Sequence, residues 1–305
     1  MRDLFKVATF LIGAALLAAA GAPWLFWLGQ WGAERFRLLA VLGETDFQRY
    51  FNRSFLLAAL LLLLPLWRWL RVESIKELGL ERNTTPLRHV LAGFSLMVAA
   101  IWAYGGLLIV LGFASFKEIL PLHRLPSAIW TAVAVSCIEE VFFRGALLGL
   151  FRRTSGKWIA LAAVSALYSI LHFLKPAEGL IAHADVRWWS GFALIPHAFR
   201  QFGEPLLLLS GFTTLFLLGW IFGLAVYRTR SLWLPIGLHA GAILAARFFN
   251  ILTEREEARL PWIGENLLTG IGPLFVLGVV LFVVATSSWA RGHETPNREN
   301  QTPSA

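Results

Sequence analysis

Long apolar stretches constrain this chain more than any other feature. Several of them reach the roughly 20 residues that a helix rising about 1.5 Å per residue needs to cross about 30 Å of hydrocarbon. Of the 305 residues, 57% are hydrophobic and only 15% are charged, and the mean hydropathy is +0.63. Soluble proteins are roughly half apolar and a quarter charged. Since a soluble core does not account for this excess, we expect the bilayer to be the solvent.

The pattern of the apolar stretches favours helices. In lipid, an α-helix satisfies its backbone hydrogen bonds within one segment, and these stretches are too long and too uniform for the alternating strands of a barrel. The sequence therefore predicts an all-α fold, a polytopic transmembrane helix bundle of about eight spans. Their approximate positions are 7–29, 54–71, 89–113, 126–150, 157–174, 205–227, 231–250 and 268–289. We expect one transmembrane helical domain over residues 1–290 and a disordered polar tail at 291–305.

Basic residues in the loops predict an orientation. The net charge of +8 and the pI near 10.2 come from Lys and Arg spread over many loops, which indicates membrane orientation rather than nucleic-acid binding. The loops after the second and fourth spans are expected to be cytoplasmic because they carry Arg68, Arg71, Lys76, Arg82 and Arg88, and Arg152, Arg153 and Lys157. Both termini would then be cytoplasmic, although four arginines in the first outer loop oppose this orientation. The absence of organelle signals favours a bacterial inner membrane.

Two connecting segments allow more than one interpretation. Residues 73–88 mix apolar and charged side chains, which fits either an interfacial helix or a solvated loop. Residues 175–204 contain Trp188 and Trp189 and fit a lid or re-entrant loop beside the outer leaflet. An aromatic belt would have the same composition.

An acidic pair interrupts the fourth span, in the run Cys137-Ile-Glu139-Glu140-Val-Phe-Phe-Arg144-Gly145. Charged side chains inside a membrane are energetically unfavourable and usually mark a functional site. On a helix, Glu140 and Arg144 share a face, whereas Glu139 is rotated by about 100°. We therefore expect Glu140 to pair with Arg144 and Glu139 to be free as a general base or acid. A structural ion-pair network that fixes the helix register is the alternative.

Two histidines in later spans have a depth comparable to that of Glu139. His172 is about 15 residues into the fifth span, His239 about 8 into the seventh, and Glu139 about 13 into the fourth. Because alternate spans enter from opposite faces, the three can meet in one polar pocket. A hydrogen-bonded structural role is the alternative for each histidine. The remaining histidines lie at span ends, in loops or in the tail and are not expected in a site: His89, His123, His183, His197 and His293.

Three motifs in order resemble those of a known family. They are Glu139-Glu140-x-x-x-Arg144, Tyr168-x-x-x-His172 and Ser231-Leu-Trp-Leu-Pro-Ile-Gly-Leu-His239-Ala-Gly. They are similar to the Glu-Glu-x-x-x-Arg, Phe-x-x-x-His and His-x-x-x-Asn or Asp motifs of the CPBP family of intramembrane proteases. That family includes the type II CAAX prenyl proteases and the bacteriocin-processing (ABI) proteins, on a bundle of about eight helices. The resemblance covers about residues 126–250.

The resemblance implies an intramembrane endopeptidase of the glutamate type. Its partners would be the lipid bilayer and a membrane-anchored or lipidated protein or peptide substrate. Glu139 and His172 would activate a water for attack on the peptide carbonyl, and His239 would bind the developing oxyanion. No cofactor and no metal is expected. If a metal takes part, it would be zinc on Glu139, His172 and His239, because the single cysteine, Cys137, excludes a cysteine cluster and is interpreted as structural.

Two positions depart from the family motifs. Tyr168 replaces the usual Phe and keeps an aromatic ring. Ile243 occupies the position of the family Asn or Asp after His239, and losing one oxyanion donor lowers turnover by about 10² to 10³. Asn250 and Arg247 lie further along the same predicted helix, but Asn250 is about 10 Å from Ile243 along the axis and Arg247 fits an interface anchor better.

Two functions compete with proteolysis. A catalytically lapsed family member could act as a membrane binding, scaffold or bacteriocin-immunity protein, and Ile243 favours this alternative. A proton-coupled transporter would also place Glu, Arg and His inside the membrane. The sequence lacks the inverted repeat and paired broken helices that are typical of transporters.

Overall fold

The chain folds as a bundle of helices, which confirms the predicted all-α class. The computed structural model describes residues 2–69, 74, 76, 81–255, 259–264 and 266–288. The helices are α1 (Arg2–Arg35), α2 (Ala40–Gly43), α3 (Phe47–Trp69), α4 (Pro86–Val110), α5 (Leu125–Glu140), α6 (Leu148–Thr154), α7 (Lys157–Phe173), α8 (Ser190–His197), α9 (Pro205–Thr229), α10 (Trp233–Leu252) and α11 (Gly272–Thr286). A π-helix, Val141–Leu147, joins α5 to α6.

Five helices of the described chain are long and apolar enough to cross a membrane: α1, α3, α4, α9 and α10. The shorter apolar helices α7 and α11, and the continuous rod of α5, π-helix and α6, coincide with the other three predicted spans. The number of eight crossings remains a prediction. Helix α3 begins at Phe47, earlier than predicted, because Phe47 and Tyr50 pack edge-on against Phe26 of α1.

Small residues bring α4 and α10 together. Gly237 and Gly241 are four residues apart and therefore share one face of α10. A Cβ at Gly241 would lie 2.7 Å from the Phe94 carbonyl oxygen, and a Cβ at Gly237 would overlap the backbone of Val90. This close backbone approach is typical of small-residue helix contacts in membranes. It directs His239, halfway between the two glycines, away from α4 and towards the interior.

Two apolar clusters meet in the middle of the bundle. One is built mainly from α4, α9, α10 and α11 and includes Phe222 and Leu238. The other is built from α1, α3, the π-helix and α7 and includes Phe143 and Tyr168. The acidic pair and both candidate histidines lie where these clusters meet.

The segment that joins α7 to α9 folds over one end of this meeting region. Its helix α8 packs against α1, where a Cβ at Gly191 would overlap the backbone of Ala19. Trp188 and Trp189 are exposed, while Phe199 lines the cavity described below. This arrangement agrees with the lid interpretation and also keeps the tryptophans available to the membrane interface.

The connections that follow α4 and α10 are held together by a small sheet. Antiparallel strands β1 (Ala114–Phe116) and β2 (Thr253–Arg255) pair beyond the ends of α4 and α10. Of the mixed segment 73–88, residues 74, 76 and 81–88 are described, and α4 already begins at Pro86. The predicted tail, 291–305, lies outside the described residues.

Candidate active site

The acidic pair lies at the point where α5 changes into the π-helix. Glu140 is the last residue of α5, and Arg144 lies within the following π-helix. Single π-turns inside α-helices occur frequently at functional sites. All residues from Phe142 to Leu147 are buried, whereas Val141 at the start of the turn is exposed.

Glu140 is fully buried and contacts two cationic or potentially cationic groups. Arg144 Nη1 donates to Glu140 Oε1 at 2.9 Å, which confirms the predicted ion pair. The same oxygen lies 2.8 Å from His239 Nδ1. Arg144 Nη2 also donates to the Gly219 carbonyl at 3.3 Å, and its guanidinium lies over the Tyr168 ring at 4.6 Å. Glu140 therefore holds the Arg144 side chain of the following π-helix and the imidazole of His239 on α10 in place.

The hydrogen bonds of the two imidazoles define which nitrogens face the site. His172 Nδ1 lies 2.8 Å from the Tyr168 carbonyl oxygen, which can only accept, so Nδ1 carries the proton. A carboxylate oxygen likewise only accepts, so His239 Nδ1 donates to Glu140. In both rings, Nε2 is the nitrogen left for chemistry.

Both Nε2 atoms face the same carboxylate oxygen. Glu139 Oε2 lies 3.8 Å from His172 Nε2 and 3.9 Å from His239 Nε2. These distances are too long for direct hydrogen bonds. Oε2 is buried and has no hydrogen-bond partner among the described residues. The three side chains thus converge on one oxygen, and Glu139 is the acid that is not paired with Arg144. The expected common polar pocket is not formed by all three, because His239 is buried and is not among the described residues that line the cavity.

Aromatic rings hold the histidines in these positions. The Tyr168 ring lies 4.3 Å from the His172 ring, between centroids, and Phe222 stacks on His239 at 5.0 Å. Tyr168 also packs edge-on against Phe143. Tyr168, which stands where the family motif has Phe, thus keeps the ring contacts at this position.

A cavity of about 280 Å³ opens beside the cluster. Glu139 and His172 form part of its wall, and most of the remaining wall is apolar. The described residues that line it are Ala15, Phe51, Asn52, Phe55, Leu56, Ala59, Leu60, Leu63, Ile138, Glu139, Phe142, Phe143, Leu171, His172, Leu174, Lys175, Ile195, Ala198 and Phe199. One carboxylate and one imidazole thus face a space that is bounded chiefly by hydrocarbon.

The donor set has the chemistry of a zinc site but not its spacing. Bonds of about 2.0–2.2 Å to a tetrahedral zinc separate neighbouring ligand atoms by about 3.4 Å. Here Oε2 lies 3.8 and 3.9 Å from the two Nε2 atoms. Within the described residues, no group of three His, Cys, Asp or Glu side chains is arranged to hold a metal ion.

An apolar residue occupies the position at which the family motif has Asn or Asp. Ile243 is half-buried on α10, one turn beyond His239. Asn250 and Arg247 are exposed further along α10, and the Asn250 carbonyl accepts a hydrogen bond from Lys117 at 2.7 Å. Neither substitute considered from the sequence has a contact with Glu139 among the described interactions.

Sequence reasoning missed two members of the site. Lys175, which lines the cavity, lies three residues after His172, and this proximity was the available signal. Asn52 also lines it, but it comes from the start of α3 and no motif indicated its approach.

The fold and the cluster together define an integral membrane protein with a buried carboxylate and two imidazoles beside an apolar cavity. Residues 121–245 match the family described as type II CAAX prenyl endopeptidase Rce1-like. This match supports the resemblance to the CPBP/CAAX protease family that the three motifs indicated. The match agrees with the core expected at about 126–250. The comparisons with curated proteins and with solved structures gave no match.

Proposed function

We propose that the protein is a glutamate-type intramembrane endopeptidase that cleaves a membrane-anchored or lipidated protein or peptide. The observation that carries this proposal is the buried Glu139 Oε2, which has no hydrogen-bond partner among the described residues and faces two Nε2 atoms. Buried polar atoms without partners are rare in stable folds. A reacting water and a peptide carbonyl would supply the partners.

The spacing suits a water molecule as the nucleophile. A water that hydrogen-bonds at about 2.8 Å to both atoms fits between Glu139 Oε2 and His172 Nε2, which are 3.8 Å apart. Glu139 would accept one proton of this water while its oxygen attacks the carbonyl carbon, and His172 would orient the other proton. The C–N bond would then break, and Glu139 would return the proton to the leaving amine.

His239 is suited to the oxyanion. Its Nδ1 is held by Glu140, and a protonated ring would present Nε2–H to the negative oxygen of the tetrahedral intermediate. Arg144 and Glu140 would act as positioning residues, because the packing around them holds them away from the cavity wall.

The apolar cavity supports a substrate that carries hydrophobic residues or a lipid. A water-filled active site would be hard to maintain against walls built from Leu, Phe and Ala, whereas an apolar chain can displace that water. The membrane anchor would keep the scissile bond at a fixed depth.

Location and orientation are part of the proposal. The basic loops support cytoplasmic termini in a bacterial inner membrane. Since α7 is the fifth predicted span and His172 lies in its last turn, the cavity would then open towards the outer side. The substrate would approach from that side or from the outer leaflet.

A metal-dependent reaction is the alternative on the same residues. Zinc bound by Glu139, His172 and His239 would polarise the carbonyl and acidify a bound water. The spacing between these groups supports the metal-free form. Metal analysis of the purified protein, and activity after dialysis against a chelator, distinguish the two forms.

Proteolysis is tested with purified protein in lipid vesicles and a lipidated peptide that fluoresces on cleavage. Wild type should cleave it, and Glu139→Gln should not. Glu81→Gln is the matched control, because Glu81 is half-exposed and pairs with Arg230 away from the cavity. Equal activity of wild type and Glu139→Gln would refute the proposal.

A binding protein without catalysis is the second candidate, and Ile243 is the feature that favours it. An apolar side chain near His239 removes a potential oxyanion donor but leaves the cavity able to bind a peptide. This candidate predicts saturable binding of the lipidated peptide by wild type and Glu139→Gln alike, with no cleavage by either.

A further inference from the structure

Lys175 places a cation on the wall of the same cavity as Glu139 and His172. Helix α7 ends at Phe173, so the Lys175 backbone lies just beyond the helix, where its N–H donates to the Phe173 carbonyl at 2.9 Å. Its ammonium group has no hydrogen bond or ion pair with any described residue. Among the described lining residues, Lys175 is the only lysine or arginine.

Neighbouring charges make this end of the cavity cationic. Lys175 interacts electrostatically with Glu139 inside the cavity and with Arg247 on α10. Arg247 in turn interacts with Arg49 and Arg53 of α3. Arg49 is neutralised by Glu178, to which it donates two hydrogen bonds at 2.8 and 3.0 Å. Asp46 also interacts with Arg49 and with Glu178. The four cations Lys175, Arg247, Arg49 and Arg53 therefore outnumber the three acids Glu139, Glu178 and Asp46 by one.

A cation in an apolar cavity favours an anionic group of the ligand. The cavity, at about 280 Å³, is at the small end of ligand pockets and suits a short stretch of peptide rather than a folded surface. A peptide whose carbonyl lies at Glu139 and whose chain follows the apolar wall would bring a nearby carboxylate to Lys175. Charge-assisted hydrogen bonds from an ammonium to a carboxylate are stronger than those between neutral groups.

We propose that Lys175 is a specificity-determining residue that binds a carboxylate of the peptide substrate close to the scissile bond. This inference rests on the proposed proteolysis. The carboxylate is either the carboxyl terminus of the substrate or an acidic side chain, and both sources present the same chemistry to the ammonium. Lys175 does not touch the reacting atoms, so its role is recognition.

Three variants isolate the charge of Lys175. Lys175→Met keeps the length of the side chain and removes the charge, and Lys175→Arg keeps the charge. Lys157→Met is the matched control, because Lys157 begins the same helix at its other end, with Nζ 4.8 Å from the Trp158 ring centroid and 4.9 Å from that of Tyr227. It removes one positive charge from α7 without touching the cavity.

The substrates for the test come from cells. Membrane proteins whose new termini depend on Glu139 are identified by comparing wild type with Glu139→Gln. Peptides that span these sites are made as free acids, as carboxyl-terminal amides and with Asp and Glu side chains replaced by Asn and Gln. They are then assayed with the full-length protein in vesicles. If no terminus depends on Glu139, the proposed function fails and this inference fails with it.

We expect wild type to lose about 10- to 100-fold in kcat/KM with one of the two neutralised peptides, as for one charge-assisted hydrogen bond. The peptide that is affected identifies the source of the carboxylate. Lys175→Met should cleave the acidic and the neutralised peptide at the same reduced rate, Lys175→Arg should restore the preference, and Lys157→Met should behave as wild type.

Equal cleavage of all three peptides by wild type would overturn the inference while proteolysis stands. If Lys175→Met lowers kcat/KM relative to wild type by the same factor on the acidic and on the neutralised peptide, wild type and variant have the same preference. That result would assign Lys175 a structural role. A loss that follows the fraction of anionic lipid in the vesicles, and not the charge of the peptide, would identify a headgroup as the ligand and would also overturn the inference.

Discussion

His239 Nδ1 and Glu140 Oε1 lie 2.8 Å apart, and the same oxygen accepts a hydrogen bond from Arg144 at 2.9 Å. One buried carboxylate oxygen thus connects the π-helix to α10. Since Glu140 and Arg144 are almost completely buried, neither charge is compensated by solvent. The two adjacent acids therefore have different environments: Glu140 is held by partners, and Glu139 faces the cavity.

This difference predicts opposite effects for two similar substitutions. Glu140→Gln would leave Arg144 buried without its counter-charge and should lower the free energy of unfolding by about 3–5 kcal/mol. Glu139→Gln should leave stability near that of wild type and abolish cleavage. Thermal unfolding in detergent and the vesicle assay measure the two effects. A Glu140→Gln protein as stable as wild type would contradict the assignment of the ion pair.

The glycine contact between α4 and α10 should control the position of His239. In Gly237→Ala the new Cβ meets the backbone of Val90, so α10 must move. We expect a destabilisation of about 1–3 kcal/mol, typical of overpacking, together with lower activity. Gly278→Ala on α11 is the control, because nothing lies within 4 Å of its Cβ. Equal stability and activity of both variants would show that the contact is not essential.

Ile243→Asn should test whether the apolar residue limits turnover. The side chain at this position is one turn from His239 and on the same face of α10. If an amide there donates to the oxyanion, kcat should rise by about 10² to 10³. Ile243→Val is the control for a change of volume alone. An unchanged kcat in Ile243→Asn would mean that His239 or another donor already supplies the interaction.

Tyr168 should act through its ring rather than through its hydroxyl. Its ring contacts His172 and Arg144, at 4.3 and 4.6 Å. Tyr168→Phe should therefore keep activity and stability close to wild type, whereas Tyr168→Ala should lose about 3–5 kcal/mol of stability. Large loss of activity in a stable Tyr168→Phe protein would instead assign a chemical role to the hydroxyl.

The proposed orientation predicts which residues are reached from outside the cell. Cys137→Ala removes the single cysteine, and Lys175→Cys and Arg152→Cys then place one thiol near each end of α7. A membrane-impermeant maleimide added to intact cells should label Lys175→Cys and not Arg152→Cys. The reverse pattern would place the cavity on the cytoplasmic side and contradict the basic-loop argument.

The fold class and the acidic cluster were predictable because a membrane permits few backbone structures and few arrangements of charged side chains. Apolar stretches of spanning length form helices, and the spacing of Glu140 and Arg144 puts them on one face. The same reasoning predicted Glu139 as the unpaired acid. These inferences depend only on the spacing of residues along one helix, which can be read from the sequence.

Other features depend on packing between distant segments. The bond from His239 to Glu140 requires the rotation of α10 that its glycines impose against α4. The π-helix at Val141–Leu147 is another such feature, because the spacing of apolar residues does not distinguish it from an α-helix. Asn52 and Lys175 meet at the cavity only because α3 and the end of α7 are adjacent in the folded bundle.

The central claim, that Glu139 makes this protein a protease, is tested most directly in cells. Amino- and carboxyl-terminal proteomics of membrane proteins would compare wild type, Glu139→Gln and the control Glu81→Gln at matched expression. The account predicts a defined set of termini that are present with wild type and Glu81→Gln and absent with Glu139→Gln. Identical termini in all three strains, with Glu139→Gln folded and in the membrane, would contradict it.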